Sequence, residues 1–279
     1  MRISTTSRIT LRLLALIYVA VLLAFPIVTI LWRTFQPGLG EFWASIQTPA
    51  AISALNLSLL IVAVVVPLNV IFGVVTALVL VRGRFPGRRL LSGIVDLPFA
   101  VSPIVVGVAL IMLWGVDGWF GGLETLGLRV IFGLPGMIIA TLFVTLPFVV
   151  REVEPVLREI GTEQEQAAAT LGASPWQTFL RITLPAIRWG LTYGVVLTAA
   201  RALGEFGAVI MVSSGFPGVS QTLTLLVHSR YIDDHNTYGA YAAATLLMMI
   251  ALVILLAMTV IERLRPDHHS APAASRSTT

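Results

Sequence analysis

The chain has no cysteine and no lysine; its 18 lysine-plus-arginine positions are all arginine. Without cysteine there is no disulfide framework, thiolate metal site or nucleophilic thiol. Without lysine there is no Walker A loop, whose lysine reaches the nucleotide phosphates, and no Schiff-base chemistry. Charge of either sign is scarce: 11% of residues, against about 25% in soluble domains. What fills the chain instead is apolar, with 57% hydrophobic residues and a mean hydropathy of +0.91. The apolar runs are long and lack strand alternation. In lipid a spanning segment must satisfy its own backbone, so these runs predict an all-α polytopic membrane protein. The net charge of +4 does not point to nucleic acid, because the arginines gather at the ends of the apolar runs, as positive-inside topology requires.

Six transmembrane helices are expected, at about 13–32, 55–81, 97–114, 134–150, 190–212 and 239–261, within a transmembrane domain at 1–265. Arg2, Arg8 and Arg12 precede the first run, but it is too long for a signal core and no small-residue cleavage site follows, so it reads as an uncleaved span. The tail at 266–279, rich in Pro, Ser, Ala and Thr, reads as disordered. Fourteen arginines fall on the side of the two termini, and only Arg33, Arg129 and Arg230 on the other. This places both termini, the tail and the 151–189 segment in the cytoplasm. Residues 33–54 and 213–238 read as polar connections on the outer side. His228 and His235 in the latter lack a repeated metal-ligand spacing, so a solvated loop is expected there.

The longest punctuated polar interruption runs from Gly161 to Ile187. Thr162 and Glu165 have the spacing of a capping box, and so do Ser174 and Gln177. Pro175 suits the first position of a helix, and Pro185 signals a break or kink. Gly172 falls where a helix end needs a left-handed residue. The expected element is two short cytoplasmic helices meeting at a Gly172 elbow. Trp176, Phe179 and Leu180 share one helical face. That face suits either headgroups and lipid or a groove on a soluble partner, and the pattern leaves both open.

The series Gln166-Ala167-Ala168, Gly172, Ile182 and Leu184-Pro185 resembles the EAA loop of bacterial ABC importer permeases. The family's glutamate corresponds to Gln166 here, and Glu165 lies one residue earlier. The resemblance implies the type I permease fold. It also implies that this chain binds no cofactor, and that ATP and Mg are held by a partner subunit. Implied partners are a second, homologous permease, two ATP-binding subunits, an extracytoplasmic binding protein and membrane lipid. Gln166, Ala167, Ala168 and Gly172 would shape the docking bend, and the stretch Ser174, Trp176 and Phe179 the inserted coupling helix. Ile182, Leu184 and Pro185 complete the motif. A capped helix pair transmits the motion of a soluble engine, where a random coil would absorb it.

Arg201 and Glu205 are four apart in the apolar string RALGEFG. Charges in a span face protein or a water-filled cavity, so the pair either orients one helix or lines the translocation path. Gly204 and Gly207 would admit a close neighbour. RALGEFGA, with DLPFAVSP at Asp96–Pro103, resembles the sulfate/thiosulfate and molybdate permeases. By that likeness Ser102 and Pro103 join Arg201 and Glu205 as pathway candidates, and the expected activity is ATP-driven sulfate or thiosulfate import into a bacterial cell through its inner membrane. Two rivals stand beside it: a molybdate or tungstate permease, and a secondary transporter, which would carry coupling-ion carboxylates and internal repeats. An enzyme has no paired carboxylates, nucleophile–base string or metal motif in its favour.

Overall fold

A computed structural model describes residues 5–122, 126–127 and 129–263 of the chain; the expected tail at 266–279 lies outside them. All regular elements among the described residues are helical. Helix α1 (Thr5–Val19) passes through a π-turn at Ala20–Ala24 into α2 (Phe25–Phe35). Then come α3 (Leu39–Ile46), α4 (Pro49–Arg82), α5 (Arg88–Ala100), α6 (Pro103–Trp114) and α7 (Leu134–Ile160). Two short helices, α8 (Glu163–Thr170) and α9 (Pro175–Thr178), lead by a π-turn at Phe179–Thr183 into α10 (Leu184–Leu203). The last described elements are α11 (Gly207–Val212), α12 (Leu223–His228), a π-turn at Ser229–Asp233 and α13 (Thr237–Arg263).

Among the described residues four helical stretches are long and apolar enough to cross a membrane: Arg8–Phe35, Pro49–Arg82, Leu134–Ile160 and Thr237–Ala257. The expected third span, 97–114, is not one helix. Its halves α5 and α6 meet at 111°. Pro103 is the cause: its ring bars the preceding residue from the helical region, and Ser102 is extended at φ −59°, ψ 133°. The expected fifth span, 190–212, is also interrupted. Helix α10 stops at Leu203, and Gly204–Phe206 separate it from α11. Counting the bent pair as one span gives five.

The centre of the molecule is α7 packed between α4 and α10. Small residues permit this. A Cβ on Gly73 of α4 would fall 2.7 Å from the Val149 Cβ, and one on Gly194 of α10 would fall 2.9 Å from the Val149 Cα. Val149 is therefore held between two glycines, and dispersion contacts replace the hydrophobic drive that lipid cannot supply. Asn69 Nδ2 donates to Thr145 Oγ1 at 2.6 Å, a buried polar tie between α4 and α7. Pro67 in α4 and Pro147 in α7 lie inside unbroken helices.

Both connections expected to be polar, 33–54 and 213–238, are more structured than their composition suggests. Residues 39–46 form α3, with Phe42 buried. In the 213–238 connection, α12 buries Leu223, Leu225 and Leu226. Arg230, read as a loop charge, is 7% exposed. Its guanidinium donates to Thr48 Oγ1 at 2.8 Å, Gly239 O at 3.0 Å and Ser45 O at 3.2 Å. Burial pulls it below the ordinary arginine range, and Asp234 offsets part of that. Arg230 thus clamps the α3–α4 corner to the start of α13. Among the described residues no three metal-ligating side chains gather.

Candidate coupling loop and membrane gate

Ser174 and Gln177 form the expected capping box: Ser174 N donates to Gln177 Oε1 at 2.9 Å, and Gln177 N to Ser174 Oγ at 3.3 Å. Gly172 is left-handed at φ +85°. Around it Ala173 N donates to Ala168 O and Gly172 N to Ala169 O, each at 3.0 Å. That is a Schellman ending, which satisfies the last carbonyls of α8 and fixes the elbow. Nothing lies within 4 Å of where a Gly172 Cβ would stand, so a side chain there would strain the backbone alone. A left-handed L-residue costs roughly 1–2 kcal/mol, and a β-branched one more. Gly172→Val is expected to lower transport while membrane insertion and ATP hydrolysis by the assembled complex persist. Gly172→Asn should be milder, because asparagine tolerates this region. Unchanged uptake in the valine variant would remove the elbow from the mechanism.

The other expected box does not form. Thr162 has no side-chain bond to the backbone of α8, and accepts instead from Gln166 Nε2 at 3.0 Å. Glu165 is drawn inward. It accepts from Arg82 Nε at 3.0 Å, Arg82 NH2 at 3.2 Å and Thr183 Oγ1 at 2.9 Å. Arg82 also donates to Leu157 O at 3.1 Å and Gly161 O at 2.5 Å. One guanidinium thus joins the ends of α4 and α7 to α8 and, through Glu165, to the π-turn before α10. A forked, charge-assisted contact outbids a local cap on an exposed helix.

Pro185 does not break the chain. The helix runs on through the π-turn, where Leu184 N bonds back to Phe179 O, and Pro185 follows at the start of α10. The Trp176 and Phe179 rings stack at 5.6 Å and 26°. With Leu184 they border an apolar groove of about 400 Å3 against Val70, Ile71, Val74, Val75 and Leu78 of α4, and Leu191 of α10. Trp176 is 66% exposed and Leu171 88% exposed, so the tip of the loop carries large uncovered apolar groups. Ile182 and Pro185 border a separate cavity that shares no lining residue with this groove. Ala167 O accepts from Thr170 Oγ1 at 2.7 Å.

A second ionic knot ties α5 to α7. Arg151 Nε donates to Asp96 Oδ1 at 2.7 Å, its NH2 reaches Asp96 Oδ2, and NH2 also reaches Ser92 Oγ at 3.0 Å. Glu154, buried, accepts from Arg151 at 2.6 Å and Arg158 at 2.5 Å. Sequence reasoning missed Arg82, Asp96 and Glu154. Their partners lie far away in sequence, except that Arg151, Glu154 and Arg158 follow helical i, i+3 and i+4 spacing.

At the other site Arg201 and Glu205 pair at 2.7 Å, but not on one helix, because Glu205 lies in the break after α10. The Glu205 side chain is 1% exposed and that of Arg201 33%. Glu205 Oε1 accepts from Ala208 N at 2.7 Å and so caps α11. Thr224 Oγ1 donates to Glu205 O at 2.8 Å, which ties the break to α12. Pro103 is brought here: a Cβ on Gly207 would fall 3.0 Å from the Pro103 Cβ. Ser102 sits at the adjoining bend, and its carbonyl accepts from Val106 N at 3.1 Å. Gly204, by contrast, ends α10, and a Cβ there would meet only the carbonyls of Ala200 and Arg201 within 4 Å. Two broken helical segments therefore meet at one place, where a carboxylate satisfies the freed backbone. Irregular backbone at membrane depth is tolerated only where it is covered by protein or lines a cavity.

An interrupted, apolar helical bundle of this kind, with a capped helix pair at one end, defines a multi-pass membrane protein of the ABC importer permease class. The sequence profile of the family described as binding-protein-dependent transport system inner membrane component matches residues 69–266. The chain belongs to that family. It is 46% identical over 259 residues to the sulfate transport system permease protein CysW of Synechocystis sp., covering 92% of this chain and 93% of the relative. The Escherichia coli K12 protein named CysW is 44% identical over 238 residues, covering 85% and 81%. The sister protein named CysT from the same strain is 34% identical over 249 residues, covering 89% and 90%. Of the two sister types the chain is thus nearer the first. Among solved structures, the bacterial alginate ABC transporter in complex with alginate pentasaccharide-bound periplasmic protein superposes with a TM-score of 0.76 at 21% identity, over 91% of this chain and 93% of that one. That likeness establishes the fold.

Proposed function

We propose that this chain is a permease subunit of an ATP-driven sulfate or thiosulfate importer. It spans the inner membrane with both termini in the cytoplasm, beside a homologous second permease, two ATP-binding subunits and an extracytoplasmic binding protein. The chain itself is not an enzyme; ATP and Mg belong to its partner. The observation that carries this reading is the anchored loop. An exposed aromatic helix projects from an elbow, and Arg82 and Glu165 lock that elbow to three membrane helices. A partner that closes on Trp176 and Phe179 displaces α4, α7 and α10 together. The helix interruptions around Pro103 and Glu205 are where such a displacement opens or closes a path. There Arg201, with a third of its side chain exposed, attracts an anion, while its ion pair with the buried Glu205 keeps the attraction weak enough for release.

The test is reconstitution of the assembled complex in vesicles with labelled sulfate. Uptake is expected only with ATP, the binding protein and all subunits, and excess thiosulfate should suppress it more than molybdate. Uptake driven by an ion gradient without ATP would overturn the reading.

A further inference from the structure

Arg82, Arg151, Arg158 and Arg201 are each neutralised by a carboxylate. Arg181 and Arg188 are not: among the described residues neither forms an ion pair. They stand seven residues apart, two turns along the π-turn and the start of α10, and both border one cavity of about 460 Å3. Gln164 of α8 closes it from the other side, Trp189 forms one wall, and Ile182 and Pro185 supply an apolar border. No carboxylate lines the cavity. The Arg188 Cζ lies 5.3 Å from the centroid of the Trp189 ring, so that guanidinium is steadied by an aromatic face rather than by an acid.

From this geometry we infer that the cavity binds a tetrahedral oxyanion, either as the phosphate of an anionic lipid headgroup or as a free anion. Guanidinium forks match two oxygens of such a group at a time, and the Gln164 amide and the Trp189 indole N–H add neutral donors. The place suits it. Trp189 stands where α10 begins its apolar course, at the boundary where indole rings settle and arginine stems lie along hydrocarbon with their heads in water. The cavity is on the flank of the coupling loop, on a different side from the apolar groove beside Trp176, so an occupant there leaves the docking tip uncovered. It would brace the π-turn against α8 from outside, as Glu165 braces it from inside. Which leaflet supplies the lipid follows from the topology proposed above; the binding itself does not.

The experiment uses the full chain in nanodiscs of phosphatidylcholine with or without phosphatidylglycerol, and separately in phosphatidylcholine alone titrated with sodium sulfate or phosphate at constant ionic strength. Retained lipid is counted by native mass spectrometry. Free-anion binding is read from Trp189 fluorescence, assigned with Trp189→Phe. Arg181→Gln/Arg188→Gln is compared with Arg12→Gln, which removes the same kind of charge elsewhere. Removing two arginines from an anionic surface should weaken binding by roughly thirtyfold. Loss of retained phosphatidylglycerol identifies the lipid as the source. A saturable sulfate or phosphate response that the double variant loses identifies the free anion. Equal binding by the double variant and Arg12→Gln in both arms overturns the site. So does weakened assembly with the ATP-binding subunits while both bindings stay unchanged, because the arginines then serve a protein partner. If the double variant fails to insert, the two single variants are measured instead.

Discussion

Glu165→Ala is expected to uncouple the transporter: ATP hydrolysis by the assembled complex continues while uptake falls by tenfold or more, on the order of the 1.5–3 kcal/mol that a charged hydrogen bond contributes. The reason is geometric. At 34 residues α4 is about 51 Å long, well over a hydrocarbon core of about 30 Å. Arg82, its last residue, has one carboxylate to neutralise it, and the two side chains are 21% and 23% exposed. Removing Glu165 leaves a half-buried cation with only backbone carbonyls, and frees Thr183 at the π-turn. The loop can then tilt on its own without moving α4 and α7. Glu165→Gln keeps an acceptor for Thr183 but not the charge, and should fall between alanine and wild type. Gln166→Ala occupies the family's motif position, yet breaks only an exposed bond to Thr162, and should be close to wild type. If Gln166→Ala uncouples and Glu165→Ala does not, the anchor assigned here is wrong.

Those two adjacent residues show what was legible in the sequence. Ser174, Gln177 and Gly172 could be read because their partners lie within a turn or two of helix, where spacing fixes geometry. Glu165 could not. Its spacing from Thr162 suited a cap, but Arg82, eighty-three residues earlier, offers a charged fork, and no local pattern encodes that contact. The same holds for Arg230, which composition places in a polar loop and packing places in the interior. The helical class and the apolar runs were plain, because lipid leaves few alternatives to a helix. The interruptions were less so. Pro103 carried the right chemistry, yet a proline at the start of a helix and one at a bend look alike until the preceding segment's direction is known. The RALGEFG string gave the pairing of Arg201 with Glu205. It hid the break between them, because four-residue spacing reads as one helical face.

That break sets the second large effect. Glu205→Ala removes a carboxylate that is 1% exposed, leaves Arg201 unpaired and strips the cap from Ala208 N. Breaking one partner of a buried pair costs about 3–5 kcal/mol; with a third of the Arg201 side chain exposed, roughly 2–4 kcal/mol is expected here. Thermal unfolding in detergent should show that loss, and uptake should fall with it. Glu205→Gln separates the two roles, because its amide oxygen can still accept from Ala208 while the charge is gone. If capping holds α11 in place, Gln should retain most of the stability and lose mainly transport. If the ion pair does, Gln should resemble Ala, and Arg201→Gln in the same chain should restore part of the stability that Gln loses, since no unpaired cation then remains. Glu41→Gln, on an exposed helix start, is the reference for a lost carboxylate. A Glu205→Gln protein indistinguishable from Glu41→Gln in both stability and uptake would make the pair incidental to the gate. In that case the fold would have buried a charge at the junction of two broken helices without using it, which the high cost of such burial argues against.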